Sequence, residues 1–185
     1  VVEVDHRPAC LELFVGELGD LERLHLCQCQ TGSGNKKSGG GVAGAVPTLE
    51  SMAKKDMELF AYCFMPSHVH LIFRSGNDNP DGLLRDFKSF TAKKIIGAIE
   101  NNPQESRKEY LLWFFERAAK KKGNGAKYQF WQHHNQPIEL WTDAVIKEKI
   151  EYIHNNPVES GLVTDQTHWK YSSARNFQDD HTVLV

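Results

Sequence analysis

The stretch Glu58-Leu59-Phe60-Ala61-Tyr62-Cys63-Phe64, then Met65-Pro66-Ser67, then His68-Val69-His70-Leu71-Ile72-Phe73-Arg74 decides the fold class. Both flanks are rich in aromatic and β-branched residues, which suit a pleated, half-buried surface, and Pro66 breaks them because it cannot donate to a ladder. Two adjacent antiparallel strands joined by a tight turn are predicted. Ser75-Gly76-Asn77-Asp78-Asn79-Pro80 ends the second strand. Asp81 is then placed to cap a helix in which Leu83, Leu84, Phe87, Phe90, Ile95, Ile96 and Ile99 recur at helical spacing, while Arg85, Lys88, Lys93 and Lys94 take other faces.

Downstream, Pro103 separates that helix from a second amphipathic one over about residues 105–120, which ends in the basic loop Lys120-Lys121-Lys122-Gly123-Asn124-Gly125. Tyr128-Gln129-Phe130-Trp131 reads as a further strand, and residues 137–140 as an extended piece. Thr142 is placed to cap a third helix that should stop at Asn156-Pro157, because a proline disfavours helical geometry in the residue before it. Upstream, Leu11, Leu13 and Val15 alternate with polar or bulky neighbours as a weak strand, and residues 18–24 can start a short helix. Residues 31–46 hold six of the 14 glycines and little that packs, so they read as a flexible segment. An antiparallel pair followed and separated by helices indicates an α+β fold with helices on the faces of the sheet. The divisions expected are an atypical N-terminal segment over 1–54, a domain over 55–175 and a tail over 176–185.

The chain has 185 residues, enough for one ordinary core. Its 22 basic and 24 acidic side chains argue against coating nucleic acid by bulk charge. The distribution is uneven: residues 85–127 carry 11 basic and 5 acidic side chains, a net +6, between flanking segments of net −4 each. No run approaches the roughly 20 apolar residues of a membrane helix, and no signal segment opens the chain, so a soluble cytoplasmic protein without membrane contact is expected. Cys10, Cys27, Cys29 and Cys63 read as reduced thiols, and the lone Cys27-x-Cys29 lacks a second pair at zinc spacing.

The chemistry-bearing residues fall in two places. His68 and His70 are two apart on a predicted strand, so both imidazoles leave one face, about 7 Å apart at Cα. That spacing suits one metal ion, or a pair of surface histidines flanking a buried Val69. On the third helix Ile146, Ile150 and Ile153 form the apolar stripe, and Tyr152 lies about 120° and Asn156 about 80° from it. Tyr152 and Asn156 are i and i+4 and share a face, offering a phenolic oxygen and an amide oxygen that can bind a hard metal. Joined to His-x-His, they are the parts needed for metal-assisted phosphoryl transfer through a covalent intermediate.

At these residues the chain resembles a family. Residues Tyr62-Cys63-Phe64-Met65-Pro66-Ser67-His68-Val69-His70-Leu71-Ile72 look like the HUH signature of single-tyrosine transposases, the IS200-like family. Residues Glu151-Tyr152-Ile153-His154-Asn155-Asn156-Pro157-Val158-Glu159-Ser160-Gly161-Leu162-Val163 look like their tyrosine helix and its exit, and Trp169 with Tyr171-Ser172-Ser173-Ala174 like their C-terminal motif. The match is closest to the REP-associated tyrosine transposases and spans about residues 55–174; residues 1–54 depart from the family pattern. The resemblance implies a ferredoxin-like antiparallel sheet with His-x-His on a central strand. It implies that His68, His70 and Asn156 hold Mg²⁺ or Mn²⁺ against a scissile phosphate. It also implies that Tyr152 attacks single-stranded or hairpin DNA to give a 5′-phosphotyrosine link and a free 3′-OH. Relatives include dimers and monomers, so either state is open.

Given such a family, Lys88, Lys93, Lys94, Lys120, Lys121 and Lys122 are candidate phosphate contacts. Trp131 and Gln132 are candidates to stack on or read a base, with a core role for Trp131 as the other possibility. At most one of His133 and His134 can join His68 and His70, since adjacent strand residues point to opposite faces. His154, beside the apolar stripe, reads as structural. Two other functions stay open at this point: a water-using metal-dependent phosphodiesterase with Tyr152 only positioning substrate, and an inactive hairpin-binding relative.

Overall fold

The computed structural model describes residues 24–30, 55–123, 125–132 and 138–178. The expected strand at 11–15, the Gly-rich stretch 31–46, nearly all of the expected helix at 18–24, His133 and His134, and the last seven residues lie outside them. The two strands predicted around the Met65-Pro66-Ser67 turn form: β2, Met57–Phe64, pairs antiparallel with β3, His68–Ser75. With β1, Leu24–Gln30, and β4, Ile138–Leu140, they build a four-stranded sheet in the order β2-β3-β1-β4, with every neighbour antiparallel. This is the expected ferredoxin-like α+β sheet. The expected boundary at residue 54 does not hold for it, because β1, from the segment read as atypical, lies between β3 and β4, with Gln28 in register with His70 and Gln30 with His68.

β3 alternates as a strand buried on both faces must. Val69, Leu71 and Phe73 enter one apolar cluster, while Ile72 enters another. In β2 the alternation breaks once. Leu59 pairs with Phe73 but Ala61 pairs with Ile72, which leaves Phe60 as the extra residue of a β-bulge. Met57 and Leu59 therefore share a cluster with Tyr62 and Phe64, and Ala61 and Cys63 turn to the other face, where Cys63 stands opposite His70.

Two helices cover the first face. The first, α1, spans Pro80–Asn101, and its cap is Asn79, not Asp81. The Asn79 side-chain oxygen accepts from the Gly82 N–H at 3.0 Å, Pro80 takes the first helical position where no donor is needed, and Asp81 sits in the first turn, where negative charge is favoured. A Cβ at Gly82 would lie 2.4 Å from the Asn79 amide, so this cap requires glycine. The second, α2, spans Lys108–Lys122, which makes the three lysines expected in a loop its last turn; Gly123, at φ 66°, closes it with its N–H on the carbonyls of Ala119 and Lys120. Leu83, Leu84, Phe87, Leu111 and Phe115 from these helices pack on the sheet. Residues 128–131 do not form the expected strand: the segment runs irregularly past α2, tied by the Gln129 N–H to the Phe115 carbonyl at 3.0 Å.

The other face carries α3, Asp143–Glu159, whose Ile146, Ile150 and Ile153 pack with Ala61, Cys63, Ile72 and Leu140. Thr142 caps it as expected, its side chain accepting from the Val145 N–H at 3.4 Å. The expected stop at Asn156-Pro157 is wrong: the helix runs through a buried Pro157 to Glu159. Pro157 removes the donor that would meet the Ile153 carbonyl and its ring crowds that carbonyl, a cost confined to the last turn of the helix. The ending two residues later is a Schellman motif, with the Gly161 N–H on the Val158 carbonyl and the Leu162 N–H on the Pro157 carbonyl, both at 2.9 Å, and Gly161 at φ 67°. After a short 3₁₀ turn, Gln166–His168, the helix α4, Ala174–Gln178, sets Phe177 against the α3 cluster, so residues 176–178 belong to the fold and not to a tail. Among the described residues no helix is long and apolar enough to cross a membrane.

Candidate active site

His70 lies at the centre of β3 on the α3 face and is 1% exposed. Neither ring nitrogen has a hydrogen-bond partner among the described residues. Burial lowers its pKa well below the ordinary value, the neighbouring His68 lowers it further, and the Asn156 side chain beside it acts in the opposite sense, without reaching hydrogen-bond geometry. His70 is therefore a neutral imidazole with basic nitrogen to offer. The His68 ring meets it edge-on, centroids 4.8 Å apart at 87°, as two same-face residues of a strand should. His68 is half-buried, and the Ser67 hydroxyl lies 3.1 Å from its Nδ1, which orients the ring.

Tyr152 comes from α3. Its ring is 5.8 Å from that of His70, nearly perpendicular to it, and 43% exposed. One turn on, Asn156 Nδ2 donates to the Tyr152 carbonyl at 2.8 Å. That bond holds the amide by its nitrogen and leaves the oxygen for other work. Lys149, one turn before Tyr152, places its ammonium 5.8 Å from the centre of the Tyr152 ring. The structure thus brings together all four residues singled out on these two elements, His68, His70, Tyr152 and Asn156.

Two imidazoles and one amide oxygen, with no carboxylate among them, form a mixed nitrogen and oxygen donor set that fits a borderline divalent cation such as Mn²⁺ better than all-oxygen Mg²⁺, with positions left for water or phosphate oxygen. The unpartnered nitrogens of His70 are the observation that fits such an ion, since a buried polar group without a partner costs about 1–3 kcal/mol. Among the described residues no three His, Cys, Asp or Glu side chains converge on one point. Cys63, although opposite His70, is not a thiolate: burial pushes its pKa up to about 12, against a smaller lowering by the Ser172 hydroxyl.

What holds α3 in place was not foreseen from sequence beyond a structural role for His154. Residues 171–173 add a short strand-like rung to β2: Phe64 N–H donates to the Tyr171 carbonyl at 2.9 Å, Ser173 N–H to the Tyr62 carbonyl at 3.0 Å, and Trp169 Nε1–H to the Phe64 carbonyl at 2.9 Å. The Ser173 hydroxyl accepts from the Tyr62 N–H at 2.9 Å and lies 2.8 Å from His154 Nε2. His154, 3% exposed and meeting the Phe177 ring edge-on, is held neutral by burial, its pKa lowered to about 4. One hydroxyl thus joins the sheet to the helix two residues past Tyr152.

No family model and no curated protein matches the sequence. A solved structure does share the fold. It is a REP-associated tyrosine transposase bound to a REP hairpin, aligned over 89% of this chain and 86% of its own, at a TM-score of 0.55 and 16% sequence identity. The two chains are structurally related.

The residues named for DNA contact lie elsewhere. Lys88, Lys93 and Lys94 belong to α1 and Lys120, Lys121 and Lys122 to α2, on the sheet face opposite Tyr152. Lys93, Lys94 and the three lysines of α2 are exposed, whereas Lys88 Nζ donates to the Gln132 carbonyl at 2.8 Å and so pins the segment that carries Gln132. Gln132 is exposed. Trp131 is a correction: it is 7% exposed, packed on Phe87 and Phe130, with its indole N–H on Thr91 Oγ1 at 2.8 Å. An amphipathic ring with a buried hydroxyl within reach fills the core.

Proposed function

We propose that this chain nicks single-stranded or hairpin DNA and transfers the strand, with Tyr152 as nucleophile and Mg²⁺ or Mn²⁺ held by His68, His70 and Asn156, as a member of the REP-associated tyrosine transposases. The observation that carries the reading is the contact between Tyr152 and a fully buried His70 whose two ring nitrogens have no partner. The fold shared with a hairpin-bound transposase supports hairpin DNA as the substrate.

The Tyr152 oxygen attacks the scissile phosphorus, the bond to the 3′ oxygen breaks, the phenolic proton is lost and the 3′ oxygen gains one. The products are a 5′-phosphotyrosine and a free 3′-OH, which can attack in turn and reverse the step. The divalent cation, when bound, supplies Lewis-acid polarisation of the phosphate. Asn156 holds Tyr152 and the amide oxygen in one frame through its bond to the Tyr152 carbonyl, and Ser67 orients His68. His154 and Ser173 fix the height of α3 above the sheet.

The test is Tyr152→Phe with labelled hairpin DNA and Mg²⁺ or Mn²⁺, scored for nicking and for label linked to protein. The variant is expected to bind DNA within about 2-fold of the parent and to form no adduct. Nicking at the parent rate by Tyr152→Phe would overturn the assignment in favour of water as nucleophile.

A further inference from the structure

The helix α2 has two working faces. Leu111, Phe115 and Ala119 are buried. At 100° per residue Tyr110, Trp113, Arg117 and Lys121 fall within about 80° of one another, roughly 150° from the centre of that buried stripe. Folding gives no reason for large aromatic rings there, yet Tyr110 is 52% and Trp113 50% exposed. Single exposed aromatics are ordinary; a row of them braced by cations is not. The rings of Tyr110 and Trp113 stand 6.3 Å apart at 32°, Tyr110 leans on Phe114 at 6.5 Å, and the Arg117 guanidinium covers Trp113 at 5.4 Å. The row continues into the last turn with Lys120 and Lys121.

We propose that this outer stripe of α2 is a stacking track for unpaired bases of single-stranded DNA. Exposed base faces find aromatic rings and a planar guanidinium on Tyr110, Trp113 and Arg117, and the backbone phosphates of the same strand find the lysines at the helix end. Paired bases have their faces covered, so a duplex gains only the phosphate contacts. The charge favours nucleic acid as occupant, since the stripe lies inside the one segment of the chain with a net charge of +6. The inference rests on DNA being the ligand and is otherwise separate from the proposed chemistry, because α2 and Tyr152 lie on opposite faces of the sheet.

The experiment uses the full chain and a labelled, unstructured oligothymidylate, titrated by fluorescence anisotropy over a range of salt. Trp113→Ala is expected to weaken binding roughly 5- to 150-fold with an unchanged salt slope, and Trp113→Phe to restore most of the affinity. Arg117→Ala, which removes the planar guanidinium over Trp113, is expected to weaken binding in the same sense. Tyr110→Ala is a second, independent removal from the stripe and is expected to weaken binding in the same sense. Adduct formation on saturating hairpin DNA should be unchanged in each. Parent-like oligothymidylate binding by both Trp113→Ala and Tyr110→Ala would overturn the stacking track, as would a parent that forms adduct on hairpin DNA yet does not bind the oligothymidylate. Failure of the parent to form any adduct, with Trp113-dependent binding intact, would instead overturn the tyrosine mechanism and leave the track standing.

Discussion

The two faces of the sheet are built to different ends. The face under α1 and α2 is packed almost wholly with apolar side chains: Phe64, Phe73, Phe87 and Leu71 are fully buried, the Trp131 indole N–H meets Thr91, and the Gln129 side-chain oxygen at its edge has no partner among the described residues. The face under α3 buries two imidazoles. His154 is bonded to Ser173; His70 has no hydrogen-bond partner among the described residues. A protein selected only for stability would favour an apolar side chain at His70, and that is why the proposed chemistry is placed on this face.

This contrast can be broken most forcefully at Trp131. Trp131→Ala opens a cavity beside Phe87 and Phe130 and removes the donor to Thr91 Oγ1, whose own bond to the Phe87 carbonyl remains, and it should cost about 3–5 kcal/mol in urea unfolding. A loss below about 1 kcal/mol would mean that the ring is not part of the core.

The next effect is the acid response of the α3 face. The folded-state pKa of His154, about 4, lies below the ordinary 6.5. The unfolded chain therefore takes up the proton first as pH falls. The stability tied to the neutral ring is complete above about pH 6.5 and is lost progressively towards pH 4, about 3 kcal/mol in all. His70, also lowered, adds in the same direction. Urea midpoints measured between pH 7 and pH 5 should fall, and His154→Gln should flatten that fall; equal pH dependence in the two proteins would remove His154 as its source.

The smallest effect has an unusual sign. His70→Leu removes two buried nitrogens that have no partner among the described residues, and it should raise stability by about 1–3 kcal/mol while abolishing metal-dependent nicking. If His70→Leu is instead destabilised without added metal, the histidine has a structural partner after all, and the contrast between the faces fails.

Much of this was legible in the residues. The turn at Met65-Pro66-Ser67, the strands on either side, the shared face of His68 and His70 and the start of α3 at Thr142 all follow from local rules of propensity, alternation and capping. The residues of the site were legible because two short periods, 2 on a strand and 4 on a helix, each put a pair of side chains on one face. β1 was not. Leu24-His25-Leu26-Cys27-Gln28-Cys29-Gln30 has little strand propensity, and it pairs because β3 offers it a ladder, a long-range effect that no local window contains. The Schellman ending of α3 was missed for a similar reason: Pro157 argues locally for a stop, and the bonds of Gly161 and Leu162 outweigh it. Trp131 was ambiguous because a tryptophan beside basic residues reads the same whether it faces DNA or Thr91.

The bulge at Phe60 has a geometric consequence for catalysis. A strictly alternating β2 would turn Tyr62 and Phe64 toward α3 and leave Ala61 and Cys63 on the other face. One inserted residue reverses that assignment, so that the two smallest side chains of the strand lie beneath the helix and the two aromatic rings go to the opposite core. The helix that carries Tyr152 thus rests on a low floor, within reach of His70, and a single-residue deletion at Phe60 would raise that floor by the thickness of two aromatic rings.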